Sequence, residues 1–124
     1  MPIESLRYRL RIADKIVGFK KQIHQIDFYS KDQYAWNGQE LAFEIQDPFT
    51  GYFDKNRRAI YSEDIVEFHD PNNSFHGLIL FDAPLQEFQI LDWEKQTLRS
   101  EKSFHDWMQT SLVWKSYHFI QGIV

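Results

Sequence analysis

Arg7, Arg9 and Arg11 stand at alternate positions and form the densest cationic feature of the chain. On a strand, alternate residues lie ~6.7 Å apart on one face, so the three would make a cationic row ~13 Å long. Guanidinium forks bind carboxylates and phosphates, so the row is a candidate interaction surface. The five histidines are His24, His69, His76, His105 and His118, and none has the spacing of a helical metal site. His69 and His76 flank a turn-rich stretch and, with Asp70, outline a two-histidine, one-carboxylate arrangement. The plainer reading makes them surface histidines at the mouth of a turn. Asp54-Lys55-Asn56-Arg57-Arg58 opens like a calcium loop. Arg58, Ala59 and Ile65 then occupy the fifth, sixth and twelfth positions, which a calcium loop cannot use. The segment reads instead as an Asx turn leading into a strand. Ser62-Glu63-Asp64 sets a hydroxyl beside carboxylates, but no nucleophile elbow surrounds it. Asp92 and Glu94 would do acid–base work only with shifted pKa values. No glycine-rich phosphate loop is present. The expectation is therefore no catalytic residue, no cofactor and no metal.

The 124 residues suit one domain, or one domain with a subordinate lobe. Aromatic residues reach 17%, enough to fill a core in a short chain. Trp36, Trp93, Trp107 and Trp114 are candidates for stacking nucleic-acid bases, yet most of them are needed inside. Cysteine is absent, which excludes disulfides, zinc–thiolate sites and a thiol nucleophile, and fits a cytoplasmic setting. The apolar run Leu78-Ile79-Leu80-Phe81 is far below the ~20 residues of a membrane span, and no secretory leader is legible. Asn72-Asn73-Ser74 has the form of a glycosylation triplet and reads as a turn. Charge is uneven. Residues 1–21 carry six basic residues against two acidic ones; the remainder carries eight against sixteen. A basic start could mean an anionic partner, or it could mean that the first strand packs beside the acidic body.

Those residues need elements to hold them. Leu6 to Ile12 alternates strictly, with Leu6, Tyr8, Leu10 and Ile12 on one face and the arginines on the other, as in a half-buried strand. Ile23 to Tyr29 is a second apolar-rich run. Tyr34 to Ile45 reads as a hairpin around Asn37-Gly38, because Asn-Gly supplies the two positive φ angles of a type I′ turn. On that reading Gly38→Val is destabilising. Strands at 65–68, 77–81 and 87–91 make a compact meander. Ser103-Phe104-His105-Asp106 has the form of a capping box, and Phe104, Trp107 and Met108 share one face of a short helix over 103–110. A last strand is expected from Trp114 or Tyr117 to Val124.

Residues 49–68 carry a more specific pattern. Thr50, Gly51, Asp54, Lys55, Asn56, Ile60, Tyr61, Asp64, Ile65 and Val66 match a signature of the form TGxxDKNGxxIYEGDIV. The segment resembles the YopX family of phage and prophage proteins. Arg57 and Glu63 stand where that signature has glycine, so one or both turns are expected to differ. An early arginine-rich strand, a glycine-initiated apolar strand and Gly122 also agree with the family. The resemblance implies a β-rich protein with an SH3-like barrel, opened by Asp64-Ile65-Val66, and it implies no activity.

The expectation is a mainly β protein: an N-terminal β lobe over 1–46, made of a strand and a hairpin, and an SH3-like barrel over 47–124 with one short helix. Ile60, Ile65, Leu78, Leu80, Phe81 and Phe88 are its expected interior. The function expected is that of a non-enzymatic accessory protein that binds another protein. The alternative is a small barrel that binds nucleic acid weakly through Arg7, Arg9 and Arg11. No membrane partner is expected, and a homo-oligomer is compatible with the sequence.

Overall fold

The alternation of residues 6–12 becomes strand β1 (Leu6–Ile12) in the computed structural model, which describes residues 6–13, 15–70, 73–110 and 112–118. Two compact units are present, one ending at Phe49 and the other beginning at Thr50. In the first unit β1 is central. On one side it pairs antiparallel with β2 (Lys15–Ile23), which pairs with β3 (Ile26–Ser30). On the other side it pairs with the start of β4 (Ile45–Phe53). The expected boundary at 46/47 falls inside β4, which continues past Phe49. A bulge shifts the β1–β2 register between Leu10, opposite Gly18, and Arg11, opposite Ile16. Gly18 permits a close approach there: a Cβ would lie 2.8 Å from the Ser30 carbonyl oxygen and 2.5 Å from a Leu41 methyl.

The expected hairpin at Tyr34–Ile45 does not form. Neither Asn37 nor Gly38 has a positive φ. Side chains capture the backbone N–H groups that a ladder would need. Asp32 Oδ1 accepts from the Tyr34 and Ala35 amides at 2.8 and 3.1 Å, and Asn37 Oδ1 accepts from Gln39 at 2.8 Å. The Tyr34 amide, then the Ala35 amide and the Ser30 hydroxyl, hold the Asp32 carboxyl below its ordinary pKa. The segment wraps the outer edge of β3 instead. Trp36 lies on the arginine face, against Arg7 and Lys21. Asn37 exchanges backbone hydrogen bonds with Tyr29 at 2.7 and 3.0 Å. Leu41 and Phe43 reach the opposite face, at Gly18 and Lys20. An otherwise open strand edge is thereby covered. The type I′ geometry occurs one connection earlier, at His24 (φ 51°) and Gln25 (φ 66°), between Ile23 and Ile26.

In the second unit, β5 (Ala59–Tyr61) neighbours β4. The expected meander follows as β6 (Asp64–Asp70), β7 (Asn73–Asp82) and β8 (Glu87–Asp92), with the two-residue β9 (Thr97–Leu98) on the edge. Helix α1 (Phe104–Thr110) begins at the expected cap, where Ser103 Oγ accepts from the Asp106 amide at 3.1 Å. Strand β10 (Leu112–His118) then returns to pair with β6, giving the order β10-β6-β7-β8-β9. The core lies on the sheet face that α1 covers: Val66, Phe68, Phe75, Ile79 and Ile90 against Trp107 and Met108. Phe68 stacks on Phe75 at 5.1 Å, and Trp107 meets Phe75 edge-on at 5.4 Å. Gly77 lets Phe68 and Ile90 close over it, since a Cβ would lie 2.9 and 2.6 Å from their side chains.

Among the described residues neither sheet closes into a barrel, because β9 and β10 take opposite edges of one open sheet. Of the expected interior, Ile60, Ile65 and Leu78 are buried. Leu80, Phe81 and Phe88 are half-buried. The last strand beyond His118, Gly122, Pro71 and Asn72 lie outside the described residues; Asn73 and Ser74 of the glycosylation triplet, expected in a turn, begin β7 instead. No helix among them is long and apolar enough to cross a membrane.

The turn assignments reverse the expectation for Gly38. It is exposed, with open space around a Cβ, so Gly38→Val should change stability by under about 0.5 kcal/mol. Replacing His24-Gln25 by Asn-Gly should raise stability by about 1 kcal/mol, as left-handed strain is relieved. Thermal unfolding of the two variants checks both.

Candidate functional site

The three arginines of β1 do not form an exposed row. Arg9 is 1% exposed and Arg11 7%, whereas Leu6 (49%) and Ile12 (37%), expected inside, are exposed at the strand ends. Period two distinguishes two faces but not which of them is covered, and here both faces of the strand centre are. The register sets Arg9 directly opposite Asp47 on β4. Asp47 Oδ2 accepts from Arg9 Nε at 3.0 Å, Arg9 Nη2 at 2.9 Å and Arg11 Nε at 2.7 Å. Its Oδ1 accepts from Arg11 Nη2 at 2.8 Å. Arg11 thus makes the two-pronged fork typical of buried guanidinium–carboxylate pairs. Arg7 sits apart: it donates to Gln33 Oε1 at 2.9 Å and lies over the Trp36 and Phe49 rings at 5.6 and 5.3 Å. Of the basic residues crowded at the start of the sequence, Arg9 and Arg11 are met by Asp47, whereas Arg7, Lys20 and Lys21 lie over aromatic rings.

The signature-like segment is a pair of turns. Asp54 Oδ1 accepts from the Asn56 and Arg58 amides at 2.8 and 2.9 Å, the expected Asx turn. Arg57 follows with φ 65°, the left-handed residue of a bulged three-residue hairpin loop. Glu63 has φ 73° in the β5–β6 connection. Both positions where the signature has glycine therefore keep a glycine-like backbone without glycine. Asp64 is fully buried; its Oδ2 accepts from the Tyr61 amide at 2.9 Å and faces Arg58 Nη1 at 3.3 Å. Thr50 Oγ1 donates to the Ile60 carbonyl at 2.8 Å. Ile60, Tyr61, Ile65 and Val66 are buried, while Gly51, Lys55 and Asn56 are exposed. The segment organises backbone, and the carboxylates of Asp54 and Asp64 are engaged in doing so.

On the sheet face away from α1, the β6–β7 register pairs Glu67 with His76 and His69 with Ser74. The two histidines use different carboxylates. His69 Nε2 lies 3.2 Å from Glu67 Oε1, and His76 Nδ1 lies 2.9 Å from Glu94 Oε1. Burial raises the pKa of Glu94, but hydrogen bonds from the His76 ring and amide outweigh it and leave the carboxyl below its ordinary value. Among the described residues no three histidine or carboxylate groups could hold a metal ion. Asp92, buried, accepts from the Lys95 amide and lies 3.8 Å from Arg99. His105 meets the Tyr52 hydroxyl. Trp107 is buried, and Trp36 and Trp93 are half-buried. Trp114 lies in β10.

A recurrent turn was legible in the residues but absent from the expectations. Asp82-Ala83-Pro84-Leu85-Gln86 and Asp92-Trp93-Glu94-Lys95-Gln96 share one form. In each, the aspartate Oδ1 accepts the amide three residues on, at 3.2 and 3.1 Å. In each the glutamine is left-handed, with φ 54° and 56°. Aspartate and glutamine four apart, bounded by apolar runs, is the signal that could have located both.

No protein-family model, curated protein or solved structure matches this chain.

Asp47→Ala leaves two guanidinium groups buried without their carboxylate, and should lower the stability of the first unit by about 3–5 kcal/mol. Replacing the trio together, Arg9→Met, Arg11→Met and Asp47→Leu, should recover most of that loss, as an apolar substitute needs no counter-charge. Amide exchange of β1 and β4 reads both. Arg57→Gly should raise stability by about 0.5–1 kcal/mol by removing left-handed strain, net of glycine's greater unfolded-state freedom, read by denaturant unfolding.

Proposed function

We propose that the chain is a YopX-like, phage- or prophage-type accessory protein. It is non-enzymatic, works in the cytoplasm and acts by binding another protein. The observation that carries this reading is Asp47 shared between Arg9 and Arg11. It takes two of the three arginines out of reach of a phosphate backbone, and so weakens the nucleic-acid reading more than the protein-binding one. The family part rests on the signature residues and on the backbone at Arg57 and Glu63, which retains the form a glycine favours. The SH3-like part of the reading draws its support from the β6–β8 meander, which lies in an open sheet. The acidic balance outside residues 1–21 points the same way, toward a partner that is not a polyanion.

Capture from lysate with and without nuclease treatment tests the reading: protein partners retained after nuclease support it, and capture that disappears with nuclease overturns it. Fluorescence anisotropy with single- and double-stranded probes should show no submicromolar binding at physiological salt. A single accessible arginine corresponds to a salt slope of magnitude about 1 or less. Tight binding with a steep slope, lost in the Arg7→Glu variant, would favour the alternative.

A further inference from the structure

Strand β8 is incompletely paired. Its inner edge is matched to β7 from Gly77 opposite Asp92 to Asp82 opposite Glu87. On its outer edge β9 covers only Leu91 and Asp92. The chain makes one more contact, from the Arg99 amide to the Ile90 carbonyl at 2.8 Å, and then leaves toward α1. Outward-facing backbone groups alternate along a strand. The carbonyls of Asp92 and Ile90 face outward, as their bonds to Gln96 and Arg99 show, so the N–H and C=O of Phe88 face outward too. No described strand meets them.

A groove of about 420 Å³ opens along this stretch, between β8, the β9–α1 connection and α1. Phe88 and Phe104 stand on its walls with ring centroids 5.3 Å apart. Trp107, 3% exposed, lines it as well, and its indole N–H meets no acceptor among the described residues. The rim carries exposed carboxylates at Glu87 and Glu101. Arg99 lies over the Phe75 and Trp107 rings at 4.2 and 5.3 Å and reaches Glu101 Oε2 with its Nε at 3.5 Å, and Lys102 lies over the Trp107 ring at 4.5 Å, so the charge open to an occupant at the β8 edge is that of Glu87.

We propose that this groove takes an extended, basic segment of a partner protein as an added antiparallel strand on β8. The proposal rests on the protein-binding reading above and names the kind of partner. Antiparallel addition continues the direction that β9 already takes along the same edge. The register then fixes the chemistry. The occupant residue opposite Phe88 exchanges two backbone hydrogen bonds with it. Its side chain shares the face of Phe88 and packs on the aromatic wall, so it is apolar. The following residue lies opposite Glu87, on the other face, and is lysine or arginine. An apolar residue followed by a basic one, in extended conformation, is the recognised element. The Glu87 carboxylate makes an acidic residue opposite it unfavourable, so charge as well as backbone geometry selects the partner.

The test uses the full chain and the blocked peptide acetyl-Thr-Ser-Phe-Lys-Thr-Ser-amide, followed by amide NMR. At millimolar peptide the expected shifts centre on residues 87–90 and 98–104, with slowed exchange at the Phe88 amide. Methylating the phenylalanine nitrogen of the peptide should abolish binding, because that N–H bonds the Phe88 carbonyl. Changing the peptide lysine to glutamate should weaken binding about 2–5-fold, the size of one cross-strand charge pair. Glu87→Lys, at an exposed site, should reverse that preference. No shifts, shifts centred elsewhere, equal binding of the methylated peptide or an unreversed preference would each overturn the proposal. A nuclease-resistant captured partner indifferent to Glu87→Lys would overturn the groove and leave the protein-binding reading standing.

Discussion

Asp47 is the constraint on which the first unit depends. One carboxylate holds two guanidinium groups with four hydrogen bonds, and both arginines are almost without contact with water. Removing charges from water is expensive, so such a cluster contributes little net stability while it is whole and is strongly destabilising when broken. Its larger effect is on register. A one-residue slip of β4 against β1 would carry Asp47 to the opposite face and leave both guanidinium groups facing Gln46 or Pro48 positions. The pair therefore specifies how the strands meet, and apolar matching alone would do so less sharply, because this face of β1 offers arginines and not aliphatic side chains.

The second unit is specified through its turns. Eight non-glycine residues have positive φ among the described ones, and Gln86, Gln96, Arg57 and Glu63 all lie in this unit. Each carries left-handed strain, yet the connections are kept by side chains that gather backbone N–H groups: Asp54, Asp64, Asp82 and Asp92. Asp64 and Asp92, two of the carboxylates that looked available for chemistry, are absorbed in this way. Once the turns are set, the strands between them bring Phe68, Phe75, Ile79 and Ile90 onto one face, where α1 closes the core with Trp107 and Met108.

What the sequence made legible follows from the range of the forces involved. The meander, the helix and its Ser103 cap depend on neighbours within a few residues, and their spacing is visible in the chain. The burial of Arg9 and Arg11 depends on Asp47, 38 and 36 positions away, and no local pattern announces that partner. Asn37-Gly38 shows the opposite failure. A strong local turn signal was overridden, since Asp32 and Asn37 side chains bind the nearby amides and the edge of β3 engages Asn37. Closure of the sheet was equally invisible, because it turns on which edge β10 joins, and only the long-range pairing with β6 decides that. The candidate groove had no sequence signature either: it exists because β9 stops after two residues.

The segment that wraps β3 has a consequence for the protein's handling by proteases. Tyr34, at 89% exposure, is the most exposed large hydrophobic residue described, and it stands between the Trp36 and Ser30 attachments. A cut beside it would separate the wrap from the strand end that anchors it, while β1, β2 and β3 kept their ladders. The edge of β3 would then be covered only through Asn37 and Trp36, and release of those two contacts would open it to β3 of a second nicked molecule. Limited digestion would in this way weaken the cover of a loop-protected sheet edge and raise its tendency to self-associate.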